Sequence, residues 1–235
     1  VKRWENFALD AIHEAWVRFH TVVREEYIRN AETTVVPGYR GRKTRIVHVE
    51  TDSPEMLGFA RSRFAGITQP GRAEILVLRN SSGQVLVSVG QHLDPNVFND
   101  LVLMIRVEER RIKKLGSEMW TKLMGGGTAP GVHEWFVHPD MRLLLNGGGS
   151  SPGTLATQIP LERIRELVCI AANPQAFEPK RKEHCLKAAC TNTPESPCSW
   201  YDLGLRRCRA IRAQEHEQRR TITEAQTRRP TYSVR

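Results

Sequence analysis

Glu74-Ile75-Leu76-Val77-Leu78-Arg79-Asn80-Ser81-Ser82-Gly83-Gln84-Val85-Leu86-Val87-Ser88 places two apolar, largely β-branched runs on either side of Asn, Ser and Gly. Runs of this length bounded by such residues are strands joined by a tight turn, so Glu74 to Arg79 and Gln84 to Val89 read as a β-hairpin. Every neighbouring segment has to be fitted around that hairpin.

Immediately upstream, Arg45 to Glu50 alternates Ile46 and Val47 with polar residues as a strand does. Asp52 or Ser53, with Pro54 and Glu55, then opens a helix running to about Ala65. The order is therefore β-α-β-β. Further upstream, Trp4, Phe7, Ala8, Ala11, Ala15, Val22 and Ile28 recur at helical spacing and predict a long amphipathic helix over the first 30 residues. Pro37, Gly38 and Gly41 interrupt the pattern, and Thr33 to Lys43 reads as a linker.

Downstream, Asp94-Pro95-Asn96 caps a long helix. Val97, Leu101, Met104, Ile105 and Ile112 form its apolar side; Arg106, Glu109, Arg110, Lys113 and Lys114 form its polar side; Trp120 and Leu123 carry the apolar face past Gly116. A Gly-rich loop follows, Gly125-Gly126-Gly127-Thr128-Ala129-Pro130-Gly131. Glu134 to His138 and Arg142 to Leu145 are strands turned at Asp140, and Gly147-Gly148-Gly149 leads to a helix opened by Pro160 and Glu162 and closed by Asn173-Pro174. The expected body is mixed α/β, α+β-like, a small mixed sheet with flanking helices. Residues 1–42 are its helix and linker, 43–175 the α/β domain, and 176–235 a basic Cys-rich module with an Arg-rich tail.

The charge separates that last segment from the rest. From Lys180 onward there are 13 Lys and Arg against six Asp and Glu, which is +7 of the chain's formal +9. Cys185, Cys190, Cys198 and Cys208 fall in the same segment, spaced C-x4-C-x7-C-x9-C with His184 beside the first. Four thiolates close a tetrahedral site, so Zn²⁺ is the expected occupant; an iron–sulfur cluster, or reduced or disulfide-paired cysteines with no metal, are the alternatives. Arg181, Lys182, Arg206, Arg207, Arg209 and Arg212 surround the thiols with positive charge, and Trp200 supplies a stacking surface. Cations interleaved with aromatics point to nucleic acid as partner. No run reaches the roughly 18 to 20 apolar residues that span a bilayer, and Val1 to Asp10 lacks signal-peptide order. The expectation is a cytoplasmic chain with no membrane partner; a start at Val1 rather than Met also allows a segment of something longer.

Glycine has no Cβ, so Gly125, Gly126 and Gly127, followed by Thr128, can turn backbone N–H groups toward a phosphate. Neither Gly run has Walker or dinucleotide spacing. His133 and His138, with Glu134 and Asp140, make an alternative metal or acid–base set, but strand alternation places the two histidines on opposite faces. His13 and His20, seven apart, are read as packing residues beside Trp16 and Phe19.

The hairpin ending at Ser88, the Asp94-led helix and Leu123-Met124-Gly125-Gly126-Gly127 together resemble the DHH-associated substrate-binding domain of DHH-family phosphoesterases. The resemblance covers residues 5–131 and implies a mixed sheet whose Gly motif binds substrate phosphate, with the N-terminal helix as connector to a partner domain or protein. Thr128 stands where the family motif has histidine, and Val89 and Gly90 stand where an arginine often follows the serine. The family's Asp and His catalytic motifs are absent from this sequence.

Three functions follow as expectations. The first is a nucleic-acid- or nucleotide-binding module, DNA or RNA, contacting phosphate through the Gly loop and the basic tail. The second is the substrate-binding part of a DHH-type phosphoesterase or nuclease whose metal site lies in another domain or chain. The third is a structural or assembly component of a ribonucleoprotein.

Overall fold

A computed structural model describes residues 2–38, 42–115, 120–147 and 153–173. The hairpin is where the sequence puts it: β3 (Ile75–Arg79) and β4 (Val85–Val89) pair antiparallel, Ile75 opposite Val89 and Val77 opposite Val87. Its turn is closed by Asn80, whose Oδ1 accepts the Gln84 N–H at 2.8 Å, with Gly83 at φ +78°.

Around the hairpin stand β1 (Glu32–Pro37), β2 (Lys43–Glu50), β5 (Trp135–His138) and β6 (Leu143–Asn146). The strand order is β1-β2-β3-β4-β6-β5, and β2 with β3 is the parallel pair. A parallel pair needs a crossover, supplied here by α3 (Met56–Arg61) and a 3₁₀ turn (Ala65–Ile67). The helix expected to reach Ala65 therefore stops at Arg61. The expected linker contains β1, because Thr33, Thr34, Val35 and Val36 are β-branched and Pro37 is tolerated on an edge strand.

Alternation gives the sheet two faces. Val47, Val49, Leu76 and Leu78 pack with Met56, Phe59 and Ala60 of α3 and with Val23 and Tyr27. The other face carries Ile46, His48, Val77, Val87, Leu144, Trp135 and Val137, all buried. It meets α4 (Pro95–Ile112) and α6 (Leu161–Ala172), as the Glu109–Trp135 contact and the field of Arg165 at His48 establish. His48 is 4% exposed and its Nδ1 has no hydrogen-bond partner among the described residues. Burial first, then the Arg165 charge, lower its pKa to about 4. Asp94 caps α4 as expected, its Oδ1 accepting the Asn96 N–H at 2.8 Å. The helix ends at Ile112, with Lys114 left-handed at φ 55°, so Trp120 and Leu123 belong to a separate α5 (Trp120–Met124).

The N-terminal helix is α1 (Lys2–Arg18), a π-turn (Phe19–Val23) and α2 (Arg24–Asn30) in succession. It docks through Phe19 on Phe59, ring centroids 5.2 Å apart, and through the Tyr27 hydroxyl donating to Gly71 O. His20 lies against Trp16 and Phe64, as a packing residue does. Before the π-turn, Trp4, Phe7, Leu9 and Ile12 are all more than half exposed. Among the described residues no helix is long and apolar enough to cross a membrane.

Candidate functional site

The Gly-rich loop is held from below by α4. Arg106, expected on that helix's polar side, is fully buried: its Nη1 donates to Leu123 O at 2.7 Å and Gly125 O at 2.8 Å, and its Nη2 to Gly127 O and to Trp135 O at 3.1 Å. Five fixed donors on a planar group suit it to gather several carbonyls at once. Burial lowers its pKa to about 10, so it stays cationic at neutral pH behind the loop.

Glu109, also expected outside, is buried as well. It accepts the Trp135 Nε1–H at 2.9 Å, the Gln158 N–H at 3.1 Å and the Thr157 hydroxyl. Asn146 completes the brace, its Nδ2 donating to Glu134 O and Leu155 O while its Oδ1 accepts the Thr157 N–H at 2.7 Å. The charges read as a solvent face are thus the polar bolts joining α4 to the loop, β5 and the 153–158 segment. A buried charge is tolerated when most of its hydrogen-bonding capacity is filled in this way; of the Arg106 nitrogens only Nε finds no partner among the described residues.

With their carbonyls drawn inward, the loop residues lie along the sheet edge. Gly127, at φ +75°, exchanges two 2.8 Å hydrogen bonds with Val137 and so extends β5 by one bridge. A Cβ on Gly126 would meet the Pro139 ring at 3.3 Å, whereas one on Gly125 would meet nothing within 4 Å. Gly125, Gly126 and Thr128 are exposed or partly so, and no protein acceptor takes the Gly126 or Thr128 N–H among the described residues. Exposed loop residues whose amides have no protein acceptor among the described residues, beside a buried guanidinium, form a surface that favours an anion.

That edge borders a half-open strip of sheet. Ser88, Leu143 and His138 align across β4, β6 and β5, and Leu86, Leu145 and Phe136 form the next row on the same face. Phe136 is 44% exposed and Leu86 and Leu145 are partly so, while the opposite face of these strands is closed. His138 keeps the face that alternation assigns it, with its Nδ1 accepting the Met141 N–H at 3.4 Å. His133 lies in the turn before β5, and Glu134 is paired with Lys113, so the four residues of the alternative set do not converge. Among the described residues no group of three or more His, Cys, Asp or Glu is placed to hold a metal.

Gly125, Gly126, Gly127 and Thr128 are thus brought together at one edge. Cys185, Cys190, Cys198, Cys208, Arg181, Lys182, Trp200, Arg206, Arg207, Arg209 and Arg212 lie outside the described residues, as do Gly148 and Gly149 of the second Gly run. Sequence reasoning missed Arg106 and Phe136. Phe136 had a signal, since alternation beside Trp135 and Val137 puts one aromatic on each face. No family model, curated protein or solved structure matches this chain.

Proposed function

We propose that the protein is a nucleic-acid- or nucleotide-binding module in which the Gly125–Thr128 loop receives a phosphate and the open strip beside it, led by Phe136, receives a base or sugar. The observation that carries this reading is Arg106. One buried guanidinium gathers the carbonyls of Leu123, Gly125 and Gly127, and the amides of Gly126 and Thr128 have no protein acceptor among the described residues. An aromatic face next to a phosphate cradle is the pairing that single-stranded nucleic acid needs. The basic residues Arg181, Lys182, Arg206, Arg207, Arg209 and Arg212 add phosphate contacts in this reading, with Trp200 stacking and the four clustered cysteines binding Zn²⁺ or an iron–sulfur cluster.

The test is fluorescence anisotropy of labelled single-stranded DNA and RNA with the wild type, Gly125→Val and an Arg206→Glu/Arg207→Glu double variant. Position 125 has room for a side chain within the fold, so Gly125→Val keeps the wild-type unfolding midpoint while weakening binding. The double variant loses affinity and its log K against log salt flattens, by about 0.7 for each phosphate of a single strand that it no longer neutralises. Unchanged affinity in both variants rejects the reading. Metal analysis of the purified chain checks the cysteines: neither Zn nor Fe near one equivalent removes the metal.

A second reading is supported by one alignment. Ser88, the last residue of the resembling hairpin, lies on the same sheet row as His138, one strand from the Gly loop. This is a layout suited to the substrate-binding part of a DHH-type phosphoesterase whose catalytic metals are held by another domain or chain. Hydrolysis of a phosphodiester only after a metal-binding partner is added separates it from a pure binding module.

A further inference from the structure

Beyond the Gly loop, the same sheet face gathers positive charge that the fold does not neutralise. Arg61, the last residue of α3, reaches over β4 and donates from Nη1 to Ser88 Oγ at 2.8 Å; Ser88 is 1% exposed. Arg72 is close enough for its charge to act on Arg61, and the Arg45 guanidinium lies over Gly71, where a Cβ would sit 2.7 Å from its Nη1. None of the three guanidiniums has a carboxylate within ion-pair distance among the described residues.

The acidic groups near this part of the chain are engaged elsewhere. Glu74 accepts the Arg45 backbone N–H at 2.7 Å and pairs with His92 at 3.0 Å. Glu55 pairs with Arg18 and accepts from Ser53, and Glu26 accepts from Thr51. The end of α3 offers Arg61 a favourable helix dipole, which accounts for one cation at that point. It does not account for Arg72 beside it or for Arg45 over the neighbouring Gly71. Like charges gathered around a partly buried arginine raise the energy of the empty fold, and a bound anion relieves that cost.

We propose that Arg61, Arg72 and Ser88, with Arg45 at the rim, form a second anion subsite that takes a phosphate group of the same ligand. This rests on the Gly loop holding the first phosphate. The Ser88-Leu143-His138 row crosses two strand spacings and the Gly127 bridge adds a third, so the two subsites are about 14 Å apart. One phosphate cannot occupy both. The ligand therefore carries at least two phosphates at that separation, joined by a chain that runs along the half-open row past Leu145 and Phe136, which fits a phosphodiester strand and not a single mononucleotide. Arg61 supplies the planar, bidentate fork that phosphate accepts, and Ser88 fixes its rotamer.

The experiment uses the full chain with Arg61→Gln, Arg72→Gln, the double variant and Gly125→Val, and two probes: inorganic phosphate followed by thermal shift against chloride at equal ionic strength, and labelled hexathymidylate followed by anisotropy. Phosphate raises the wild-type Tm more than chloride does, and the double variant keeps only the part of that difference that the Gly loop supplies. In chloride alone Arg72→Gln is at least as stable as wild type, because it removes a repulsion and no hydrogen bond. Hexathymidylate binding falls about tenfold in the double variant, as loss of a charged hydrogen-bonding group predicts. If the double variant keeps wild-type affinity and phosphate response while Gly125→Val loses binding, this subsite is wrong and the Gly-loop reading stands. If the double variant loses both and Gly125→Val loses neither, the subsite stands and the Gly-loop reading falls. A wild type that responds to neither probe overturns both.

Discussion

Acidification should destabilise the protein through one residue, His48. The residue is 4% exposed on β2, its Nδ1 lacks a partner among the described residues, and burial with the Arg165 charge holds its folded pKa to about 4 against an ordinary 6.5. The sign follows directly. Above pH 6.5 the imidazole is neutral in both states and contributes no pH dependence. As pH falls below 6.5 the unfolded chain binds a proton that the folded chain refuses, so stability drops until the folded ring itself titrates near pH 4. A gap of about 2.5 units corresponds to about 3.4 kcal/mol at the limit, of which about 2 kcal/mol is lost by pH 5 and about 3 by pH 4. Urea unfolding at several pH values, on wild type and His48→Gln, isolates the contribution because other titrating groups are common to both. With a urea dependence of about 2 kcal/mol per molar, the wild-type midpoint should fall about 1 M further than the variant's between pH 7.5 and 5. A wild-type-to-variant difference constant over that range would refute the assignment.

Two more outcomes follow from the packing. Arg106→Met should cost roughly 2 kcal/mol: it strands the carbonyls of Leu123 and Trp135 in the interior, but it also removes a desolvated charge, which offsets part of the loss. Hydrogen exchange should accelerate at Gly127 and Val137, whose amides depend on the bridged loop, while β3 amides stay protected. Phe59→Ala opens a hole between α3, Phe19 and Tyr27 and should cost about 3 to 5 kcal/mol in denaturant unfolding.

The hairpin from Ile75 to Val89 and the Asp94 cap were legible because each is decided within a few residues: an Asn and Gly turn between apolar runs, and an Asp two residues before an N–H that needs an acceptor. Strand β1 was not, because Pro37 and Gly38 are loop signals in a sequence, and only pairing with β2 makes Thr33 to Val36 a strand. The site's key residues failed for a related reason. A helical wheel assigns Arg106 and Glu109 to water by their charge, whereas their partners lie 17 to 49 positions away, at Leu123, Trp135, Thr157 and Gln158. Local pattern reads composition; it does not read which distant groups satisfy a buried charge. The Gly loop was found from its glycines, but its seat on the edge of β5 depends on the Gly127–Val137 bridge, which no spacing rule encodes.

The π-turn at Phe19–Val23 sets the azimuth of everything before it. Each α-helical residue advances about 100° around the axis, and a π-turn absorbs one residue more than an α-turn does. Winding the same residues as a regular α-helix would keep Val23 and Tyr27 anchored and swing Trp4, Phe7 and Ile12 by about 100° about the shared axis, whereas deleting one residue there would let α1 run into α2 with that bearing unchanged. The compass bearing of that exposed aromatic arm is therefore held by one wide turn, which stores a residue that a regular helix would convert into rotation.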